Sequence, residues 1–318
     1  MRKSLFIVSI GLSLLFVSAA LAWFAMPERT AAVLLKLNSA SAGMSEKVVK
    51  TEFGEIHYLE GSKGETIVLM HGIYARKEHW VDLARHLTDN YRVIALDLPG
   101  FGDNEALPDE QYLIGQQQKN LLAVFDALHI ETTHVATNSM GAYVTALLAN
   151  ENPDRVSSFA FIGSPLGIPT PVKSDMDLAL ERGIKPLLIK SEADFHARMS
   201  WLSPKPPYVP GPILNSRLKT QVAVAKKKAR IWDVVHTLSQ APTVLELAPS
   251  LAMKTLIMWC SSDRIFHVSG ADELAKRLKR PKLSILKECG HVPMLDRPDT
   301  VAAVYLTFLG TTDSAISN

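Results

Sequence analysis

Apolar and polar positions fall into two kinds of stretch along this chain. Short, nearly continuous apolar runs occupy residues 66–70 and 92–96, and the stretches 133–137, 156–162, 255–260 and 282–286 read as further strands. Runs of that length without alternation are what strands buried on both faces look like. Between most of them lie stretches of helical period. Residues 79–87 carry Trp80, Leu83, Ala84 and Leu87 on one face, 112–128 is amphipathic, 139–150 is helix-forming with apolar residues all round, and 271–278 and 298–309 read as further helices. Strands that alternate with helices predict a mostly parallel sheet covered on both faces, an α/β protein. Residues 47–60 alternate around Phe53-Gly54-Glu55, which predicts a hairpin. The rhythm stops after residue 165. Residues 166–250 are proline-rich, with Pro169, Pro171, Pro186, Pro204, Pro206, Pro207, Pro210 and Pro212, and hold apolar helical pieces without a buried strand. They predict an inserted helical cap between a first part of the core, 47–165, and a second, 251–310, with a tail at 311–318.

The start of the chain is of another kind. Met1-Arg2-Lys3 is basic, and no charge follows from Ser4 to Met26. A bilayer needs about 20 apolar residues, whereas the apolar region of a signal peptide runs to about 7–15. Residues 1–29 therefore read as an uncleaved signal-anchor, a single-pass membrane segment with the N-terminus in the cytoplasm and the rest of the chain outside. The alternative is a signal peptide cut after Ala20-Leu21-Ala22, which leaves a periplasmic or secreted protein. Residues 30–46 read as a connector whose apolar stretch, 31–37, is suited to lie on the membrane.

Composition narrows the options. A chain of 318 residues with 47% hydrophobic residues suits one large globular unit with an insertion. A formal net charge of +2 is too weak to draw nucleic acid. The one basic run, Lys226-Lys227-Lys228 with Arg230, reads as a solvated helix face, with contact to anionic lipid as the other reading. Two cysteines, Cys260 and Cys289, without a C-x-x-C pair argue against a zinc site. Each ends an expected strand; two buried thiols are the plain reading, and a disulfide stays open.

The chemistry is suggested by what stands at the strand ends, where sites in such sheets lie. After the strand at 133–137 comes Asn138-Ser139-Met140-Gly141 and then a helix. A serine at a sharp strand-to-helix turn is the nucleophile elbow, normally G-x-S-x-G, and here Thr137 fills the first small position. Asp263 follows the strand at 255–260, and His291 follows the one at 282–286, within Gly290-His291-Val292. The chain order Ser, Asp, His is that of one known triad class. A serine hydroxyl needs a base that titrates near neutrality, and the base needs a carboxylate to fix its tautomer. Charge that develops on an attacked carbonyl needs backbone N–H donors, and Ile73, after His71-Gly72, and Met140 are placed to supply them. Asp97, which also ends a strand, precedes Leu-Pro-Gly-Phe-Gly and reads as a turn-holder. In the cap, Met199, Trp201 and Tyr208 are candidates for a substrate-binding wall; packing of the cap's own core is the alternative.

From about Lys47 to Leu309 the chain resembles the α/β-hydrolase superfamily. More narrowly it is similar to the Moraxella-type bacterial lipases and the membrane-anchored monoacylglycerol lipases. The resemblance rests on Leu96-Asp97-Leu98-Pro99-Gly100-Phe101-Gly102, Asn138-Ser139-Met140-Gly141, Val268-Ser269-Gly270-Ala271-Asp272, Gly290-His291-Val292-Pro293-Met294 and the cap stretches 186–189 and 206–210. It implies the α/β-hydrolase fold and a serine esterase or lipase acting on monoacylglycerol or other lipid esters, with Ser139, Asp263 and His291 at the triad positions and no metal or organic cofactor. Thr137 and Ala142 depart from the glycines common in relatives. Families that cleave haloalkanes or epoxides on this fold carry Asp where Ser139 stands. A carbon–carbon bond hydrolase or peptidase on the same fold remains an alternative, as does a binding protein that has kept the fold without catalysis.

Overall fold

The computed structural model describes residues 23–237 and 241–310. Among the described residues, a helical stretch at 23–25 is followed by α1 (Pro27–Ser41) and the hairpin β1 (Met44–Thr51) and β2 (Gly54–Gly61), then β3 (Thr66–Met70). A 3-10 turn and the short α2 (Val81–Ala84) lead to β4 (Arg92–Leu96) and α3 (Ile114–Ala127). The unit β5 (Thr133–Ser139), α4 (Met140–Glu151) and β6 (Val156–Pro165) follows. Five helices come next: α5 (Asp175–Glu181), α6 (Glu192–Leu202), α7 (Gly211–Ala223), α8 (Ala225–Val235) and α9 (Val244–Leu247). The chain closes with β7 (Lys254–Cys260), α10 (Gly270–Arg277), β8 (Pro281–Leu286), α11 (Pro293–Asp296) and α12 (Pro298–Leu309).

The strands form one sheet in the order β1-β2-β4-β3-β5-β6-β7-β8. β1 and β2 pair antiparallel, as do β2 and β4, and every other neighbour pair is parallel. β3 shows why the buried strands are apolar throughout. Ile67 and Leu69 enter a core under α2 and α12 with Trp80 and Tyr305, while Val68 and Met70 enter a second core under α3 and α4 with Phe125 and Tyr143. Alternate residues serve opposite faces, and both faces are dry. This is the α/β-hydrolase fold, with helices in place of strands between β6 and β7.

Three expectations need correction. The segment 30–46 is no loose connector: α1 runs to Ser41 and β1 begins at Met44. Pro27 at its first position and Glu28 in its first turn are helix-start signals, and Glu28 pairs with Lys219 of α7 at 2.6 Å. The apolar face over 79–87 is buried as expected, but the backbone is a 3-10 turn (Lys77–Trp80) followed by one helical turn. Cys260 and Cys289 are joined in a disulfide, with Cα atoms 5.4 Å apart. The proposed anchor lies, through residue 22, outside the described residues. Among those that are described, no helix is long and apolar enough to cross a membrane.

Asp97 holds its turn as expected. Its carboxylate accepts the backbone N–H of Lys77 at 2.7 Å and of Asp103 at 2.9 Å, and meets Lys77 Nζ at 2.9 Å. Lys77 and Asp97 are fully buried, so each charge depends on the other. Loss of one partner of such a pair typically costs about 3–5 kcal/mol. Arg76 and Lys77 also hold Asp103 and Glu78. Burial raises both carboxyls, but the two cations outweigh it and hold them below their ordinary ranges. A depressed carboxyl stabilises the fold above its unfolded pKa, about 4, and that contribution vanishes as pH falls through the folded value. Asp103→Asn is therefore expected to lower the urea midpoint at about pH 7, and the gap to wild type should close below about pH 4. A gap that does not change with pH would refute the assignment.

Candidate active site

β5 ends in Ser139, whose backbone takes φ 52° and ψ −118° before α4 begins at Met140. A positive φ at a residue with a side chain is strained, and it turns the chain from strand to helix within one residue. Two glycines let neighbouring backbones pass. A Cβ on Gly72 would lie 2.9 Å from Ser139 Cβ, and one on Gly141 would lie 2.5 Å from the His71 carbonyl. The 72–73 backbone thus runs against the serine, and Met140 starts the helix, where an N–H has no intrahelical partner. Ile73 and Met140, the two expected N–H donors, are the residues that directly follow Gly72 and Ser139.

The loop with Ile73 is held by a buried histidine. His71 Nδ1 donates to the Gly72 carbonyl at 2.7 Å, and its Nε2 accepts the Leu98 N–H at 3.0 Å. Burial pushes its pKa down, in keeping with a neutral ring that has one donor and one acceptor.

Asp263 and His291 come together. Asp263 Oδ2 lies 3.2 Å from His291 Nδ1, and its Oδ1 accepts the N–H groups of Ile265 at 2.8 Å and Phe266 at 3.3 Å. The sequence reading missed a residue that joins this pair. Ser164, at the end of β6, donates to Asp263 Oδ2 at 2.6 Å and lies 2.9 Å from His291 Nδ1. Its one proton is committed to the carboxylate, so towards the ring Ser164 can only accept. Nδ1 therefore carries the imidazole proton, and Nε2 is left free. Asn138 was missed as well: its Nδ2 donates to the carbonyls of Ile162 at 2.8 Å and His291 at 2.9 Å. Neither had a sequence signal beyond a polar residue beside a strand end. Ser139 makes no hydrogen bond to the His291 ring. The two line one narrow cavity of about 30 Å³, together with Ile73, Tyr74, His79 and Arg198.

Ser139 also opens onto a second cavity of about 260 Å³, with Ile168, Met176, Leu180, Leu187, Trp232 and Phe266 in its wall. Ile73 and Leu187 belong to both walls, so the serine stands where the two cavities meet. The three cap residues expected to bind substrate line neither. Tyr208 is 85% exposed in the proline-rich loop. Trp201 packs under the Arg264 guanidinium, 4.3 Å from its ring centre, and Met199 lends its carbonyl to Ser203 N–H at the end of α6. The face of α6 that turns inward instead carries Phe195 and Arg198. A larger cavity of about 830 Å³, between α1, the hairpin and α7, includes none of Ser139, Asp263 and His291.

The cap is tied to the histidine. The carbonyl of Leu202, the last residue of α6, accepts the N–H of His291 at 2.8 Å. The basic run also differs from expectation: Lys226 and Arg230 are exposed, but Lys228 folds inward, its ammonium 4.9 Å from the Tyr74 ring centre. Burial, and then the nearby Arg198 charge, push Lys228 down to about 7. No cluster of three or more His, Cys, Asp or Glu able to hold a metal ion occurs among the described residues.

Comparison with known proteins places the chain in a family. The model of the alpha/beta hydrolase family matches residues 67–304. Lipase 1 of Psychrobacter immobilis is 28% identical over 86% of this chain and 84% of its own length. Monoacylglycerol lipase ABHD6 of Homo sapiens is 23% identical over 87% and 85%. A solved structure of a membrane phospholipase A, described as a bacterial virulence factor, superposes with a TM-score of 0.86 at 34% identity over 98% of both chains.

A Cβ at Gly290 would lie 2.4 Å from the Leu202 carbonyl. Gly290→Ala must then part the cap from the histidine loop. Overpacking of this kind is expected to lower the thermal midpoint by on the order of 5 °C, read by circular dichroism. A midpoint equal to wild type would mean that the contact is not made.

Proposed function

The chain belongs to the alpha/beta hydrolase family, and from that premise we propose that Ser139, His291 and Asp263 cleave lipid esters as nucleophile, base and orienting acid. The protein is a lipase or esterase. The observation that carries the triad reading is the elbow at Ser139, with φ 52°, which opens onto a cavity that His291 also lines.

Each step then falls to a named group. His291 Nε2 takes the proton as Ser139 Oγ attacks the ester carbonyl, and an acyl-enzyme forms as the alcohol leaves. The same nitrogen next activates the water that releases the acid. Asp263 stabilises the imidazolium, and Ser164 and the amides of Ile265 and Phe266 keep the carboxylate in place. The N–H groups of Ile73 and Met140 receive the developing oxyanion; loss of one such donor typically costs ~100- to 1000-fold in rate. The apolar cavity supports an acyl chain as the group held on one side, with monoacylglycerol-like esters as substrates. The cap over residues 166–250 supplies most of that wall. We further infer that residues 1–29 attach the enzyme to the membrane in which such esters reside.

The test is direct. Ser139→Ala should lower hydrolysis of p-nitrophenyl and monoacylglycerol esters by at least ~10⁴-fold and abolish labelling by a fluorophosphonate probe. Hydrolysis that persists, or a probe bound elsewhere, ends the reading. Ser164→Ala removes one hydrogen bond to a charged group and should reduce kcat roughly tenfold with KM unchanged. An unchanged kcat would make Ser164 a bystander.

A further inference from the structure

The turn that carries Ile73 is strained in its own right. The Ala75 N–H donates to the Gly72 carbonyl at 3.2 Å, which closes a four-residue turn with Ile73 second and Tyr74 third. Tyr74 takes φ 59°, and Ile73 has no positive φ. A positive φ at the third position alone marks a type II turn, where glycine or asparagine is the usual occupant and an aromatic residue is out of place. Among the described residues, four others with side chains take a positive φ: Ser62, His129, Ser139 and Glu288. Of the five, only Tyr74 and Ser139 line the narrow cavity that Ser139 shares with His291. Each stands beside one of the two expected N–H donors, Tyr74 after Ile73 and Ser139 before Met140.

What keeps Tyr74 in place comes from the cap. The side chain is buried, and its hydroxyl donates to the backbone carbonyl of Lys228, on α8, at 2.6 Å. A buried phenol needs an acceptor, and here the acceptor lies 154 positions further along the chain, in the inserted helices. The Lys228 ammonium sits over the Tyr74 ring and also donates to Gln221 Oε1, on α7. Helix α8 meets the substrate side of the site as well. Trp232, one turn beyond Lys228, lines the apolar cavity of about 260 Å³, and so does Ile73. One helix thus walls the cavity proposed for the acyl chain and holds the turn proposed to receive the oxyanion. Strain of this kind persists only where the surroundings over-determine it. Without its hold on α8, the turn can relax by rotation of the Ile73–Tyr74 peptide unit, which returns Tyr74 to negative φ. Ile73 belongs to that unit, and its N–H then loses a fixed direction.

We propose that Tyr74 is a positioning residue for ester hydrolysis: by clasping α8 of the cap it holds the Gly72–Ala75 turn in its strained form and so aims the Ile73 N–H at the oxyanion. The Tyr74 hydroxyl is committed to the Lys228 carbonyl and gives no proton to the reaction. The inference rests on the ester-hydrolase reading and adds that the cap serves the chemical step as well as the binding of substrate.

The experiment measures kcat and KM for p-nitrophenyl butyrate with the full-length protein. Each kcat is expressed per serine labelled to completion by a fluorophosphonate probe, so that unfolded molecules are not counted. Tyr74→Phe keeps the ring and removes only the hydrogen bond to α8. It should lower kcat roughly fivefold to tenfold with KM within about twofold of wild type. An unchanged kcat, or a loss confined to KM, overturns the proposal. Tyr74→Ala and Tyr74→Gly both remove the clasp and the ring, and they differ in their tolerance of positive φ. Both should fall below wild type, and Tyr74→Gly should keep a kcat at least about threefold above that of Tyr74→Ala, because only glycine adopts this turn without strain. Equal kcat values for the two would mean that Tyr74 does not act through the turn, and they overturn the proposal. Should Tyr74→Ala not fold, Tyr74→Phe decides alone. A wild type that neither hydrolyses the ester nor takes the label at Ser139 sinks the parent reading, whereas an active, labelled wild type whose kcat is indifferent to Tyr74 sinks only this one.

Discussion

Asp263 accepts from four groups at once: the Ser164 hydroxyl, the His291 ring and the amides of Ile265 and Phe266. At 6% exposure the carboxylate has lost nearly all its water, and these donors take the water's place. The donors come from the end of β6, from the loop after β7 and from the loop after β8. Three separate strand ends must therefore converge on one pair of oxygens. The sheet's parallel register makes this cheap, because those strands end on the same edge.

The serine half of the site depends on closeness of backbone rather than on charge. Gly72 and Gly141 leave no room for a Cβ where the loop after β3 and the start of α4 cross beside Ser139. His71 and the Lys77–Asp97 pair then fix that loop from below. The strained turn at Ser139 survives because its surroundings leave it no alternative.

How much of this was legible follows from what each feature depends on. The strands and the order of the triad candidates could be read, because continuous apolar runs and residue types at strand ends are local signals. The pairing of Asp263 with His291 followed from topology. Ser164 could not be read, because a hydroxyl at a strand end has no pattern of its own. The cap was legible as helical but not in its orientation. Rotation of α6 decides which residues face inward, and hydropathy chose Met199 and Trp201 where the inward face carries Arg198. An arginine is assigned to solvent by any such scale, so the cationic wall could not be seen before the helix was placed. Helix α1 was missed because its start signals, Pro27 and Glu28, were read as the end of the apolar segment.

The Cys260–Cys289 bond bridges residues 29 apart in sequence. Cys260 is the last residue of β7 and faces Leu286, the last of β8, while Glu288, with φ 58°, turns the chain back so that Cys289 reaches it. A slip of one residue between these strands would swing Cys260 to the opposite side of the sheet. The link can thus close only on the correct alignment, and once closed it preserves it. Asp263 lies three residues past one sulfur and His291 two past the other, so oxidation of this pair acts as a covalent record that these two side chains were delivered in step.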